Sequence, residues 1–361
     1  MHWLILTLAI LLNSFGLFLL WKIPLIQKAT SKPFQKISVI IPARNEENRI
    51  LPLLKSLQSQ INDIHELIVV DDHSTDHTAK LAKQFGAKVI QAEVLPKDWF
   101  GKPWACYQGA KAATGEILLF LDADVILMGH SIASIYREFK KHDTPLSIQP
   151  FHLTKKPYES FSLFFNLIVM MTTGMYTPFG NKWKAQSFFG PCQMVSKEDY
   201  WKIDGHASAK HAILEDIALG QAYQHQLQKP IRALAGKGVI QFRMYPEGLK
   251  SLVEGWTKNF ATGASLIHPS LLVFVSLWIT GLFIAILSGI APFMWQDHVY
   301  WIGYLFMGID TYLLARKIGN FSVLTIVFYP LYLIFFVGVF IRSSIKSKNK
   351  KVTWKGRDLE L

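Results

Sequence analysis

Cysteine is nearly absent: Cys106 and Cys192 are the two in 361 residues. They lie far apart and neither belongs to a Cys-x-x-Cys pair, which excludes a disulfide-stapled scaffold and a cysteine zinc site. A reduced, cytosolic setting fits, with both thiols as packing residues. His206 and His211 are no better as a metal pair, because an i, i+5 spacing does not put two imidazoles on one helix face. Phosphate cradles rich in glycine are missing too. No Gly-x-Gly-x-x-Gly follows the first strand-like run and no P-loop is present, so neither dinucleotide nor P-loop phosphate binding is expected. Acidic side chains are the scarcer charge, 26 against 38 Lys and Arg, for a net +12. Such a surplus suits nucleic acid or an anionic membrane surface. The basic residues cluster beside apolar runs, so the bilayer is the expected partner and nucleic acid is not.

Half of the residues are hydrophobic (50%), and the excess is concentrated at the two ends. Trp3 to Trp21 carries no charge and is about long enough to cross a bilayer. It ends in Trp21 and Lys22, which suit the headgroup layer. With no basic n-region and no small-x-small cleavage site, residues 1–22 are expected to be an uncleaved signal anchor. Lys22, Lys28, Lys32 and Lys36 follow it, so the next region should face the cytosol. At the other end, apolar segments near 270–291, 298–315 and 322–341 make up a membrane region over 266–345, with a basic tail over 346–361. Gly303, Gly308 and Asp310 in the second segment, and Pro330 in the third, make either one a candidate for a re-entrant or interfacial piece. Three full crossings would leave Arg342, Lys346, Lys348, Lys350, Lys351, Lys355 and Arg357 outside, against the positive-inside preference. One segment is therefore expected not to cross, in a multi-pass protein of the cell membrane.

Residues 36–265 have soluble character. Ile37 to Ile41 and Leu67 to Val70 are short β-branched runs, and Lys88-Val89-Ile90 is a third. Between them Ile50, Leu53, Leu54 and Leu57 recur at helical spacing, as do Ala79, Ala82 and Phe85 behind Ser74-Thr75-Asp76. Strands alternating with helices predict an α/β domain with a mostly parallel sheet and flanking helices. Ligands bind such sheets at the carboxyl ends of the strands. The polar signals gather there: Pro42 to Glu46, Asp71-Asp72, and Asp122-Ala123-Asp124 after Leu119-Phe120-Leu121. Residues i and i+2 at a strand end share a side, so Asp122 and Asp124 converge. Paired hard oxygens favour Mg²⁺ or Mn²⁺, most useful where a substrate brings a diphosphate. Asp-x-Asp alone is equally an ordinary polar loop. Phe161 to Met171 is unusually apolar for this region and reads as core, as a further span, or, by preference, as an interfacial or acceptor-lining helix.

Five motifs in order, Ile41-Pro42-Ala43-Arg44-Asn45-Glu46-Glu47, Val70-Asp71-Asp72-His73-Ser74-Thr75-Asp76, Gly101-Lys102, Asp122-Ala123-Asp124 and Glu215-Asp216, resemble the inverting family-2 glycosyltransferases of GT-A fold. The resemblance implies that Pro42, Ala43, Glu46 and Asp72 line the nucleoside pocket and that Lys102 approaches the nucleotide. It implies that Asp122 and Asp124 hold the nucleotide sugar through a divalent metal, and that Asp216 is the catalytic base. His73 stands where the family usually has glycine, at a position histidine tolerates in a left-handed turn. Arg44 and Glu47 read as a surface pair outside the site. The Gln/Arg-x-x-Arg-Trp run of processive members is missing around Trp256, which argues against polymerisation. Lys258 is either a counter-charge to leaving-group phosphate or a snorkelling lysine.

Trp99 to Gly109, Ser147 to His152, Phe189-Gly190-Pro191, and Arg243-Met244-Tyr245 through Glu254 to Lys258 resemble the branch of the family that acts on carotenoid acids. That implies transfer of glucose from UDP-glucose to the carboxyl group of a lipid-soluble C30 carotenoid acid. Another lipid acceptor, a polyprenyl phosphate or diacylglycerol, is the alternative. A carboxylate acceptor is already ionised near neutrality, so Asp216 is expected either to take a proton or only to position a substrate.

Overall fold

The computed structural model describes residues 2–180, 188–212, 214–265, 267–295, 299–348, 351–354 and 357–360. Gln186 and Ser187, which precede the Phe188 to Cys192 motif, lie outside them. The chain opens with α1 (His2–Leu19), then β1 (Ile37–Ala43), α2 (Glu47–Gln58), β2 (Glu66–Asp71), α3 (Thr78–Gln84), β3 (Lys88–Gln91) and α4 (Gly101–Ala112). It continues through β4 (Ile117–Leu121), β5 (Val125–Leu127), α5 (Ser131–His142), β6 (Leu146–Gln149), β7 (Phe151–His152), α6 (Leu163–Met171), β8 (Cys192–Ser196) and α7 (Lys197–Lys202). Next come α8 (Glu215–Leu227), β9 (Arg232–Ala235), β10 (Ile240–Phe242), α9 (Leu249–Ser265), α10 (Pro269–Trp295), α11 (Val299–Ile318) and α12 (Thr325–Lys348). Two compact units result. One comprises 24–152 and 186–243, and the other 1–23, 153–185 and 244–361. Residues 153–180 and 244–265, assigned from the sequence to the soluble region, thus cluster with the apolar helices.

The first unit is built on a seven-stranded sheet of order β3-β2-β1-β4-β8-β6-β9. β1 to β4 are mutually parallel, as their continuous hydrophobicity predicts for strands covered on both faces. β8 runs antiparallel to both its neighbours, and β6 pairs with β9 in parallel. The chain leaves β1 to one side for β2 and β3, then returns to its other side for β4. That reversal opens a crevice at the carboxyl ends of β1 and β4. α2 packs against β5 and α3, and the stripe read from the sequence, Ile50, Leu53, Leu54 and Leu57, is all buried. α4 lies close on β1 because Gly109 has no side chain: a Cβ there would meet Ile40 Cγ2 at 2.5 Å. Both cysteines are free and buried, with thiols pushed up by burial, which confirms them as packing residues.

The second unit is helical. α1 packs antiparallel to α10, with Phe18 against Phe274 and a Cβ on Gly281 falling 2.8 Å from Leu12 Cβ. Against α11 it runs parallel: Leu6 faces Gly303, and Asn13 Nδ2 donates to Asp310 Oδ2 at 2.9 Å. Trp278 Nε1 donates to Asn13 Oδ1 at 3.2 Å, so a small polar knot ties α1, α10 and α11 inside an apolar bundle. α11 and α12 are each continuous helices, Pro330 included, so neither doubles back through a break at Gly308 or Pro330 as a re-entrant piece would. Pro269–Leu287 and Thr325–Lys346 are long and apolar enough to cross a bilayer by length and composition, and the apolar stretch Leu4–Leu19 is shorter.

One expectation changes here. α6 is core: Leu163, Phe164, Phe165, Leu167, Met170 and Met171 are all fully buried, leaving no apolar face for a membrane interface. Trp256 packs on this helix, stacked on Phe165 with its Nε1 donating to Ser162 Oγ at 3.1 Å.

Candidate active site

The parallel strands β1, β2 and β4 end at one edge of the sheet unit. β1 ends in Pro42 and Ala43, and β2 ends in Asp71 with Asp72 beyond it. Asp72 N donates to Ala43 O at 2.8 Å, which joins the two ends. The backbone turns sharply at both: Asn45 and His73 have φ of +51° and +54°. His73 therefore takes the left-handed turn for which glycine is commoner. Cross-loop bonds hold the pair of turns, from Thr75 N to Asn45 Oδ1 at 2.8 Å and from Glu46 N to Thr78 Oγ1 at 2.8 Å.

Arg44 is not on the outside. Its Nη1 donates to Asp72 O at 2.8 Å and lies 3.6 Å from Asp72 Oδ2, so it braces a buried aspartate at the expected nucleoside pocket. Glu47 faces His77 instead, accepting from its backbone N at 3.0 Å. The pairing of Arg44 with Glu47 is thus replaced by two separate contacts. Sequence position gave no sign of Asp72 as the partner, because the two residues meet only through the parallel pairing of β1 with β2.

The Asp-x-Asp pair departs from the simple strand-end picture. β4 stops at Leu121 and β5 begins at Val125, so Asp122, Ala123 and Asp124 form the turn between two sheets. Val125 N approaches Asp122 O at 3.4 Å to close it. Convergence of the carboxylates comes from this turn and not from the pleat. Burial and the Asp122 charge raise the Asp124 carboxyl above its ordinary range, while Arg49 works the other way. Arg49 Nε also lies 3.9 Å from Glu46 Oε2.

Lys102, in the first turn of α4, bridges acids that are remote in sequence. Its Nζ is 3.0 Å from Asp122 Oδ1 and 3.1 Å from Glu215 Oε1. Burial alone would ease its proton off, but the charges of Asp122, Asp216 and Glu215 prevail and hold the ammonium well above its ordinary range. Asp216, in the first turn of α8, is raised by burial and by Glu215, with Lys102 opposing. Gln193 Nε2 donates to Asp216 Oδ1 at 3.1 Å. Sequence reading passed over Gln193 and Arg49. The only signal for Gln193 was a polar residue inside an otherwise apolar strand run.

Among the described residues no three His, Cys, Asp or Glu side chains gather as a closed metal cage. The donor set fits an open site: two hard carboxylates in one turn, one of them driven toward its proton by burial and by the other's charge. Mg²⁺ and Mn²⁺ commonly bind in this way, with substrate phosphate and water completing the shell. Lys258 lies on α9 in the helical unit.

Residues 38–204 match the family described as glycosyl transferase family 2. The chain is 37% identical over 346 residues to a 4,4'-diaponeurosporenoate glycosyltransferase of Staphylococcus haemolyticus (strain JCSC1435), covering 93% of this chain and 91% of that one. The Staphylococcus aureus (strain USA300) protein of the same name is 37% identical over 333 residues, 90% of this chain and 88% of its own. Among solved structures, the mannosyltransferase PcManGT from Pyrobaculum calidifontis, in complex with GDP-Man and Mn²⁺, superposes with a TM-score of 0.55 at 16% identity, covering 95% of this chain and 99% of its own. That likeness bears on the fold, which is of the GT-A type. The chain belongs to glycosyl transferase family 2 and is an inverting glycosyltransferase.

Proposed function

We propose that the protein transfers glucose from UDP-glucose to the carboxyl group of 4,4'-diaponeurosporenoate, giving a glycosyl ester of a C30 carotenoid acid on the route to a staphyloxanthin-type pigment. The observation that carries the donor side is the joining of Asp122 to Glu215 through Lys102, beside Asp124 and Asp216. The acceptor rests on identity over nine-tenths of the chain to relatives of that name. In this reading Pro42, Ala43, Glu46 and the Arg44-braced Asp72 hold the nucleoside. Asp122 and Asp124 hold a divalent cation, which when bound supplies positive charge for the diphosphate.

The acceptor carboxylate oxygen forms the new bond to the anomeric carbon from the face opposite the diphosphate. The bond from that carbon to the diphosphate oxygen breaks, and UDP leaves with the electron pair. Lys102, kept protonated by its carboxylate neighbours, adds fixed positive charge near the place where the leaving group gains negative charge. A carboxylate nucleophile carries no proton to remove, so Asp216 positions a substrate and is not needed as a base. Asp216→Asn is then expected to lower kcat some ten- to a hundredfold, about what loss of a positioned group costs, and to leave transfer measurable. Abolished transfer, with UDP-glucose binding and thermal unfolding intact, would contradict that role.

The acceptor is too apolar to leave the bilayer, so the enzyme meets it at the membrane, with the sugar-transfer unit on the cytosolic side where UDP-sugars are. Lipid extracts from cells that make the acid, with and without the protein, test the assignment. A new glycosylated carotenoid ester is expected. A glycosylated polyprenyl phosphate or diacylglycerol in its place would reassign the acceptor and leave the donor site standing.

A further inference from the structure

Gln193 occupies a position where packing would choose an apolar side chain. It sits in β8, opposite Phe120 of β4 and Ser147 of β6, with Cys192 and Met194 beside it fully buried. It is itself 2% exposed. Its Nε2 reaches Asp216 Oδ1, and its Oε1 is buried and accepts no hydrogen bond among the described residues. A buried amide oxygen without a donor is costly, so a leucine or methionine would suit the strand better. What the amide does supply is one hydrogen bond to the carboxylate at the head of α8.

The chain just before Gln193 is shaped to the same carboxylate. A Cβ at Gly190 would fall 2.4 Å from Asp216 Oδ2, so only glycine leaves the carboxylate its place. Pro191 O accepts from Asp122 N at 3.0 Å, and Ser147 Oγ accepts from Phe189 N while donating to Phe189 O at 3.1 Å. Gly190 to Gln193 therefore join the Asp-x-Asp turn on one side to Asp216 on the other. From the far side α8 is fixed by Leu219 and Tyr223, which pack with Val195 and Phe120 in the sheet core.

We propose that Gln193 is a positioning residue for glycosyl transfer. It acts through Asp216, whose carboxylate it holds in one orientation within the notch left by Gly190. The proposal rests on the substrate-positioning role assigned to Asp216 above. Two consequences distinguish it from plain packing. Removing the amide affects turnover and not donor affinity, because the nucleoside residues lie on β1 and β2. The effect also disappears once the Asp216 carboxyl oxygen that accepts from Gln193 is replaced.

The experiment is a double-mutant cycle on the full-length protein in detergent or lipid nanodiscs, assayed with UDP-glucose and 4,4'-diaponeurosporenoate. Gln193→Met keeps the volume and removes the donor. It is expected to lower kcat about tenfold, with KM for UDP-glucose changed less than twofold and thermal midpoint unchanged. Combined with Asp216→Asn, it should lower kcat no further than that variant alone. Gly190→Ala, which displaces the carboxylate while leaving Gln193 in place, should reproduce the loss. Multiplicative effects in the double variant would overturn the proposal, as would a loss confined to KM or to stability. An Asp216→Asn protein as active as the wild type would refute the role of Asp216 itself. Should that variant be inactive, the split between kcat and KM in Gln193→Met decides the role of Gln193 alone.

Discussion

Lys102 ties together two acidic motifs that the sequence presents far apart. Its family resemblance pointed to the nucleotide, and in the structure it pairs with Asp122 and Glu215. Replacing it by methionine leaves those carboxylates facing each other across a partly buried space, and Asp216 with them. Lys102→Met is expected to lower kcat/KM for UDP-glucose by roughly a hundredfold, in the range found when one charge-stabilising group is lost. Lys102→Arg should recover part of it, measured by steady-state UDP release. A second residue sets acid tolerance. His206 Nδ1 and Tyr200 Oη lie 2.8 Å apart in the core, and burial with the Lys102 charge lowers the imidazole to about 3. The unfolded chain takes up this proton near pH 6.5 and the folded one does not. Stability from this group is therefore complete above pH 6.5 and lost progressively as pH falls toward 3, about 2 kcal/mol by pH 5. Thermal midpoints at pH 7 and pH 5 should differ less for His206→Gln than for the wild type. The sequence marked His206 only as a poor zinc ligand, since nothing local revealed that Tyr200 would cover it.

Among the elements, those with a strong period were legible. α2, the parallel strands and the carboxyl-edge site all follow from runs of apolar residues and the turns between them. What escaped the reading depended on contacts between distant segments. The antiparallel β8, entering between β4 and β6, brings Gln193 to Asp216 and has no local signature. The turn at Asp122 to Asp124 looked like a strand end because Val125 is as apolar as the residues before the turn. α6 looked interfacial because its composition fits membrane and core alike. Close helix-to-strand packing supplies a test at this scale. Gly109→Ala drives a methyl into Ile40 and is expected to destabilise the sheet unit by about 1–3 kcal/mol, read from chemical or thermal unfolding. UDP-glucose affinity at saturating cation should change little in the protein that remains folded.

For the whole molecule, the direction of the apolar helices bears on which side the tail lies. α1 and α11 run parallel and α10 runs against them; were these three to cross, the chain after α11 would be back on the side from which α10 starts. The basic tail then stays cytosolic if α12, apolar as it is, lies along the inner face and does not cross. We propose that arrangement, which the positive-inside preference supports. Single cysteines placed at Ser344 and Ser347, in a background lacking Cys106 and Cys192, should resist a membrane-impermeant maleimide in intact cells and react after permeabilisation. Labelling in intact cells would mean that α12 crosses.

In the proposed reaction a carboxylate-held cation and UDP-glucose act on a carotenoid acid. Its most direct measurement uses purified full-length protein with UDP-glucose, 4,4'-diaponeurosporenoate and either Mg²⁺ or Mn²⁺, following the lipid product by mass spectrometry. A glucosyl ester is expected that forms with cation, stops with chelator, and falls by about 10³-fold or more in Asp124→Asn, as loss of several kcal/mol of charge stabilisation requires. Ester formation undiminished by chelation and by Asp124→Asn, or UDP release with no glucosylated carotenoid, would contradict it.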